Sequence, residues 1–207
     1  IEKILLERER LDKVLQDEYK KEATILFSDI CGYSRYVDKM GDISGRTLLI
    51  RHNQIVMPLV EAHNGRVVEV IGDAVMAAFN EPLNAVSAAV AMQKGLAAHN
   101  IDEANADSIH VKIGIHSGEV LVDEQATFQS LTGDVAIVAH RIQSQAEKDQ
   151  ILISKDLYKK VCGDAEILCR FHGSVRMKGK AEPQDLYRIL WRDEEIISEE
   201  TPQVRVL

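Results

Sequence analysis

Apolar positions along this chain come in two rhythms. In the opening IEKILLERERLDKVLQDEYKKE, the positions Ile1, Ile4, Arg8, Leu11, Leu15 and Glu18 follow alternating three- and four-residue steps, and four of the six are apolar. That spacing predicts a short coiled-coil helix, and it also suits a solvated amphipathic helix lying on its own domain. From Ala23 the rhythm changes: ATILFSDICGYS reads as an apolar strand that ends at Asp29 and runs into a glycine-containing loop. SGRTLLIRHNQIVMPLVEAHNG returns to helical spacing, with Leu48, Leu49, Ile55, Val56, Leu59 and Val60 as its buried stripe, Pro58 as a point of bending and Gly65 as its stop. VVEVI and AVMAAF then flank Gly72-Asp73, a two-residue hairpin signal. EPLNAVSAAVAMQKGLAAHN predicts a helix from near Pro82, and IHVKIGIHSGEVLV predicts a second strand pair turning at Ser117-Gly118. The order is that of an α+β, βαββαβ core.

Further along, DVAIVAHRIQSQAEK predicts a helix, ILIS a strand, the residues to Val161 a short helix, and EILCRF and DLYRILW two more strands. The tail RDEEIISEETPQVRVL is acidic and without pattern, and is expected to be loosely ordered. The chain thus divides into a helix over 1–22, a domain over 23–192 and a tail over 193–207.

Composition narrows the class. A chain of 207 residues, 45% hydrophobic with four prolines, supports one well-packed domain with appendages. No apolar run approaches the roughly 20 residues that span a bilayer, and no secretory signal opens the chain, so a soluble fragment is expected. It begins at Ile1 in mid-helix, which reads as a piece of something longer with an upstream region. Three cysteines without C-x-x-C spacing argue for a reducing compartment, the cytoplasm, and against a disulfide framework or structural zinc site. A net charge of −8 disfavours nucleic acid as a partner. It does not disfavour a polyphosphate, because a metal ion supplies positive charge locally.

The chemistry gathers on two acids. Asp29 and Asp73 both lie where an apolar strand gives out, and in a βαββαβ sheet the first strand and the hairpin are neighbours, so the pair is expected to converge at one edge. Two carboxylates with substrate phosphates and water suit Mg²⁺, and paired ions serve phosphoryl chemistry. The competing interpretation is plain: Gly-Asp is a common hairpin turn, and Asp ends strands for solubility.

Taken in order, ILFSDICGYS, VIGDAVMAAF, IGIHSGEVLV, LTGDVAIVAHR and VRMKGKAEPQDLY resemble the catalytic domain of class III adenylyl and guanylyl cyclases, from about Ala23 to Trp191. The resemblance implies a ferredoxin-like, polymerase-palm-related fold acting as a head-to-tail homodimer with shared sites. It implies two ions, Mg²⁺ or Mn²⁺, on Asp29, Asp73 and the Ile30 carbonyl. The amides of Gly32, Tyr33 and Ser34 would cradle the phosphates of a nucleoside triphosphate. From the second subunit, Arg141 matches the transition-state arginine and Lys178 the triphosphate lysine. The opening helix is similar to signalling helices that join such domains to an upstream sensor.

Glu69, placed on the same strand face as Val67 and Ile71, matches a base-reading position, and Ser130 matches the second. A carboxylate accepts from guanine N1 and its 2-amino group, whereas adenine N1 is itself an acceptor; a serine hydroxyl donates to guanine O6. GTP is therefore favoured over ATP. The alternative is that Glu69 pairs with a neighbouring cation, Arg66 or Lys178.

Two positions depart from the family pattern. Ile137 stands where an asparagine would hold the ribose, and Glu119 where some members carry a phosphate-binding arginine. A catalytically degenerate, nucleotide-binding or dimerising module is the rival class. A diguanylate cyclase is disfavoured because VIGDAV lacks the Gly-Gly-Asp-Glu-Phe signature. His116 and His140 are read as structural, and the Met and Ala residues of AVMAAF and AAVAMQ as core.

Overall fold

The structure, a computed structural model, describes residues 1–102, 107–121, 134–178 and 182–200. Helix α1 (Glu2–Tyr19) leads without a break into strand β1 (Lys20–Ile30), followed by α2 (Tyr33–Met40), α3 (Asp42–Ala62), β2 (Gly65–Ile71), β3 (Ala74–Phe79), α4 (Pro82–Asp102) and β4 (Val111–Leu121). Then come α5 (Asp134–Gln145), β5 (Ile151–Ser154), α6 (Lys155–Val161), β6 (Leu168–Val175), β7 (Gln184–Leu190) and α7 (Asp193–Glu200). The seven strands form one sheet in the order β2-β3-β1-β4-β5-β7-β6. Its first four are antiparallel in the βαββαβ arrangement, and β5 joins β4 in parallel after the α5 crossover.

Alternation in β1 separates two cores. Leu26 and Ile30 join Ile113 and Ile115 of β4 beneath α3 and α4, which contribute Leu48, Val56, Val60, Val86, Met92 and Leu96. Ile25 and Phe27 face the other way, joining Met76, Ala78 and Val120 beneath Val135 and Ala139 of α5. Each fully buried aliphatic side chain stabilises the fold by roughly 1.5–3 kcal/mol, so the sheet is held from both faces.

Several expectations are corrected. IHVKIGIHSGEVLV is not a strand pair: β4 runs unbroken, paired with β1 from Lys20↔Leu121 to Ile30↔Val111. Ser117 and Gly118 look like turn residues, yet Ser117 shares a buried 2.7 Å hydrogen bond with Thr24, and a Cβ at Gly118 would stand 2.9 Å from Val135 of α5. The two residues are there for packing. The loop expected after Asp29 is largely α2, an eight-residue helix with no buried residue, so no apolar stripe announced it. In α3, His52 is fully buried one turn from Leu48 and Val56, while Leu49, Ile55 and Leu59 are only partly covered.

At the ends, β1 starts at Lys20, inside the segment expected to be helix. Residues 193–200, expected to be loosely ordered, form α7, tied back by an ion pair from Arg188 to Glu195. On α1 the apolar Ile4, Leu5, Leu6 and Leu11, and Ile1 just before it, are exposed rather than laid on the domain. All three cysteines are free. Among the described residues, no helix is long and apolar enough to cross a membrane.

Candidate active site

Asp29 is the penultimate residue of β1, and Asp73 sits in the turn between β2 and β3, where Gly72 takes a left-handed φ of 62°. Because β3 pairs antiparallel with β1, with Ser28 opposite Val75, the turn lies against the end of β1. The Asp73 carboxylate accepts the Ile30 N–H and its own N–H, and it lies within hydrogen-bonding reach of Asp29. Burial, and then the negative charge of Asp29, raise the Asp73 carboxyl above its usual 3.8. Two acids held together at a cost are relieved by a cation.

The donor set fits a hard divalent ion: two carboxylates and the adjacent Ile30 carbonyl, all oxygen. Among the described residues, no group of three or more His, Cys, Asp or Glu side chains could hold a metal. An ion here would therefore complete its shell with water and substrate oxygens, as Mg²⁺ commonly does.

Further contacts fix Asp29. The Gln143 amide donates to its Oδ2 at 3.1 Å, and the Lys112 ammonium lies 3.5 Å from the same oxygen. Lys112 is the residue directly opposite Asp29 in the β1–β4 ladder, and Gln143 is buried on α5.

Beyond Ile30, the chain turns through Gly32, whose φ of 76° favours glycine, and enters α2 at Tyr33. Gly32 accepts the Tyr36 N–H as the helix begins. The first amides of a helix lack partners within it and carry the positive end of its dipole, so the amides of Gly32, Tyr33 and Ser34 are of a kind that can receive an anion.

Arg141 and Lys178 are also brought together: the Arg141 guanidinium donates to the Lys178 carbonyl. Arg141 and Gln143 are two residues apart on α5, about 200° around the helix, so Arg141 points away from the aspartates of its own chain. Ile137, half exposed, lies one turn before Arg141 on the same side.

Glu69 is exposed, but not on the face expected. The β2–β3 register slips between Val67 and Glu69, so Val67 lies opposite Ala77 while Glu69 lies opposite Met76. A one-residue bulge reverses the parity of a strand. Glu69 therefore shares a face with Ile71 and with the α5 side of the sheet, and not with Val67. Ser130 lies outside the described residues. His116 is engaged with Ser154 at 2.8 Å, and His140 meets the ring of Phe27 edge-on at 5.4 Å.

Residues 15–190 match the family described as the adenylate and guanylate cyclase catalytic domain. This chain belongs to that family. A Rhizobium meliloti (strain 1021) protein, provisionally named adenylate cyclase 3, is 33% identical over 145 residues, covering 70% of this chain; the chain spans only 24% of that protein. Its fold is similar to the crystal structure of the adenylyl cyclase CyaB from P. aeruginosa, with a TM-score of 0.71, 24% identity, and coverage of 83% of this chain and 94% of that one. It is likewise similar to the guanylate cyclase domain of RhGC from Catenaria anguillulae in complex with GTP, with a TM-score of 0.71, 20% identity, and coverage of 84% and 98%.

In this cyclase domain, two residues at the acid pair escaped the sequence reading. Lys112 looked like the polar half of an alternating strand, and only its register with Asp29 reveals it. Gln143 carried a usable signal: it stands at helical spacing from Val135 and Ala139, a polar residue inside a buried stripe. A buried polar side chain needs a partner.

Proposed function

We propose that this domain is a metal-dependent nucleotide cyclase that converts a purine nucleoside triphosphate, GTP in preference to ATP, to a 3′,5′-cyclic nucleotide and pyrophosphate. The observation that carries the proposal is the meeting of Asp29 and Asp73 beside the Gly32 turn. Asp29, Asp73 and the Ile30 carbonyl hold two ions, Mg²⁺ or Mn²⁺. Such ions, when bound, make the ribose 3′-hydroxyl a better nucleophile and neutralise charge on the leaving pyrophosphate. The amides of Gly32, Tyr33 and Ser34 orient the phosphates for in-line attack at the α-phosphate.

Arg141 and Lys178 act in trans, from a second copy in a homodimer with shared sites, Arg141 on the charge that develops at the α-phosphate and Lys178 on the triphosphate. The direction of Arg141, away from the aspartates of its own chain, supports this division. Glu69 accepts from guanine N1 and the 2-amino group, and Ser130 donates to O6. The domain works in the cytoplasm, joined through a paired α1 to an upstream sensor.

Incubation of the purified dimer with Mn²⁺ or Mg²⁺ and each of the four triphosphates should give cyclic GMP fastest. No cyclic product at protein concentrations above the dimer's dissociation constant overturns the enzymatic proposal. Glu69→Lys combined with Ser130→Asp should move the preference toward ATP; an unchanged preference refutes the base-reading assignment alone.

A second reading is favoured by Ile137, an apolar side chain one turn from Arg141 where the family pattern has asparagine. It makes the domain a nucleotide-binding module without turnover, and calorimetric binding of GTP beside a blank product assay would select it.

A further inference from the structure

We infer that Gln143 is the positioning residue that aims Asp29 at the metal, an inference that rests on the proposed role of Asp29 as a metal carboxylate. Gln143 is 3% exposed, and its amide donates to Asp29 Oδ2 at 3.1 Å. The second contact on Asp29, from Lys112 at 3.5 Å, falls on the same oxygen. Both contacts fall on Oδ2, so they restrain the rotation of the carboxylate that lies within hydrogen-bonding reach of Asp73. The two donors differ in what they do to a cation. Lys112 brings a positive charge that opposes an arriving ion, whereas Gln143 orients the acid without competing.

The reach of Gln143 is set by backbone, not by a flexible stem. Helix α5 lies directly on β4 at Gly114, where an added Cβ would stand 2.0 Å from the Gln143 nitrogen and 2.5 Å from its Cα. Gly114 is opposite Phe27, and Phe27 is two residues before Asp29 on the same face of β1. The helix carrying the amide and the strand carrying the acid are thus locked at contact distance. Hydrogen bonds that orient a metal ligand typically change metal affinity 10- to 100-fold when removed.

The test is Mn²⁺ affinity of the purified domain, read from the free-Mn²⁺ paramagnetic resonance signal, for wild type, Gln143→Met, Gln143→Asn and Asp29→Ala. Met keeps the length and packing of Gln but has no donor. Asn keeps an amide but withdraws it by one methylene, and so serves if the Met variant does not fold. Each is expected to weaken Mn²⁺ binding by about 10- to 100-fold, with the melting temperature kept within a few degrees of wild type. In turnover, the KM for Mn²⁺ should rise and that for GTP stay, with kcat regained at saturating Mn²⁺. A purely structural glutamine would lower the melting temperature and leave Mn²⁺ affinity alone. Wild-type affinity in both Gln143 variants, with binding lost in Asp29→Ala, overturns the role of Gln143. Undiminished binding in Asp29→Ala overturns the metal assignment beneath it.

Discussion

Asp29 and Asp73 are braced by their own chain, whereas Arg141 and Lys178 meet at an exposed edge. The acid pair receives the Ile30 N–H, the Gln143 amide and the Lys112 ammonium from three different segments of one protomer. Arg141 reaches the carbonyl of Lys178, and Ile137 beside it is open to solvent. The contrast teaches where preorganisation comes from. A like-charge pair cannot be left loose, because its repulsion would spread it apart, so the fold clamps it; a guanidinium on a surface is stable unclamped and gains its geometry from whatever docks on it.

The sharpest way to break this contrast is to separate the halves. Asp73→Ala and Arg141→Ala should each lower cyclisation by more than about a thousandfold, and mixing the two variants should restore about a quarter of wild-type activity, since half the dimers are mixed and each holds one intact site. No recovery, with mixed dimers demonstrated, would place both halves in a single protomer.

A smaller effect is expected from Ile137→Asn, which returns a hydrogen-bonding group to the exposed half. Turnover should rise by roughly tenfold or more, up to the 10²–10³ scale of one positioned donor. An unchanged rate in an active enzyme would show that the ribose is held elsewhere.

The smallest concerns the clamped half without metal. Asp73 has its pKa raised by burial and by Asp29, so its ionised form is disfavoured in the fold. Stability is therefore lost as pH rises from the usual 3.8 through the raised value, and Asp73→Asn escapes that loss. At neutral pH and without metal, Asp73→Asn should melt roughly a degree or two higher than wild type. Adding Mn²⁺ should reverse the order, because only wild type binds it. Identical melting curves with and without Mn²⁺ would detach Asp73 from both effects.

Much of the fold was legible because the signals were local. Gly72-Asp73 between two apolar runs could only be a tight turn, and the strand ending at Asp29 was marked by its own composition. What escaped depended on pairing. Ser117-Gly118 has turn chemistry, but eleven residues of ladder with β1 override it. The face of Glu69 was misjudged because parity along a strand holds only if no residue bulges, and the slip after Val67 is visible only in the partner's register. Lys112 acquires meaning only across the sheet, from its register with Asp29, and the periodicity of α5 marks Gln143 as buried without naming its partner.

Tyr19 ends α1 and Lys20 begins β1, with nothing between them to act as a swivel. Torque applied to the helix is delivered straight into a strand that is laddered to β4 over its full length. Nine residues on, about 30 Å at 3.3 Å per residue, that strand carries Asp29 as its penultimate residue. The helix and the acid thus lie on one continuous run of helix and strand.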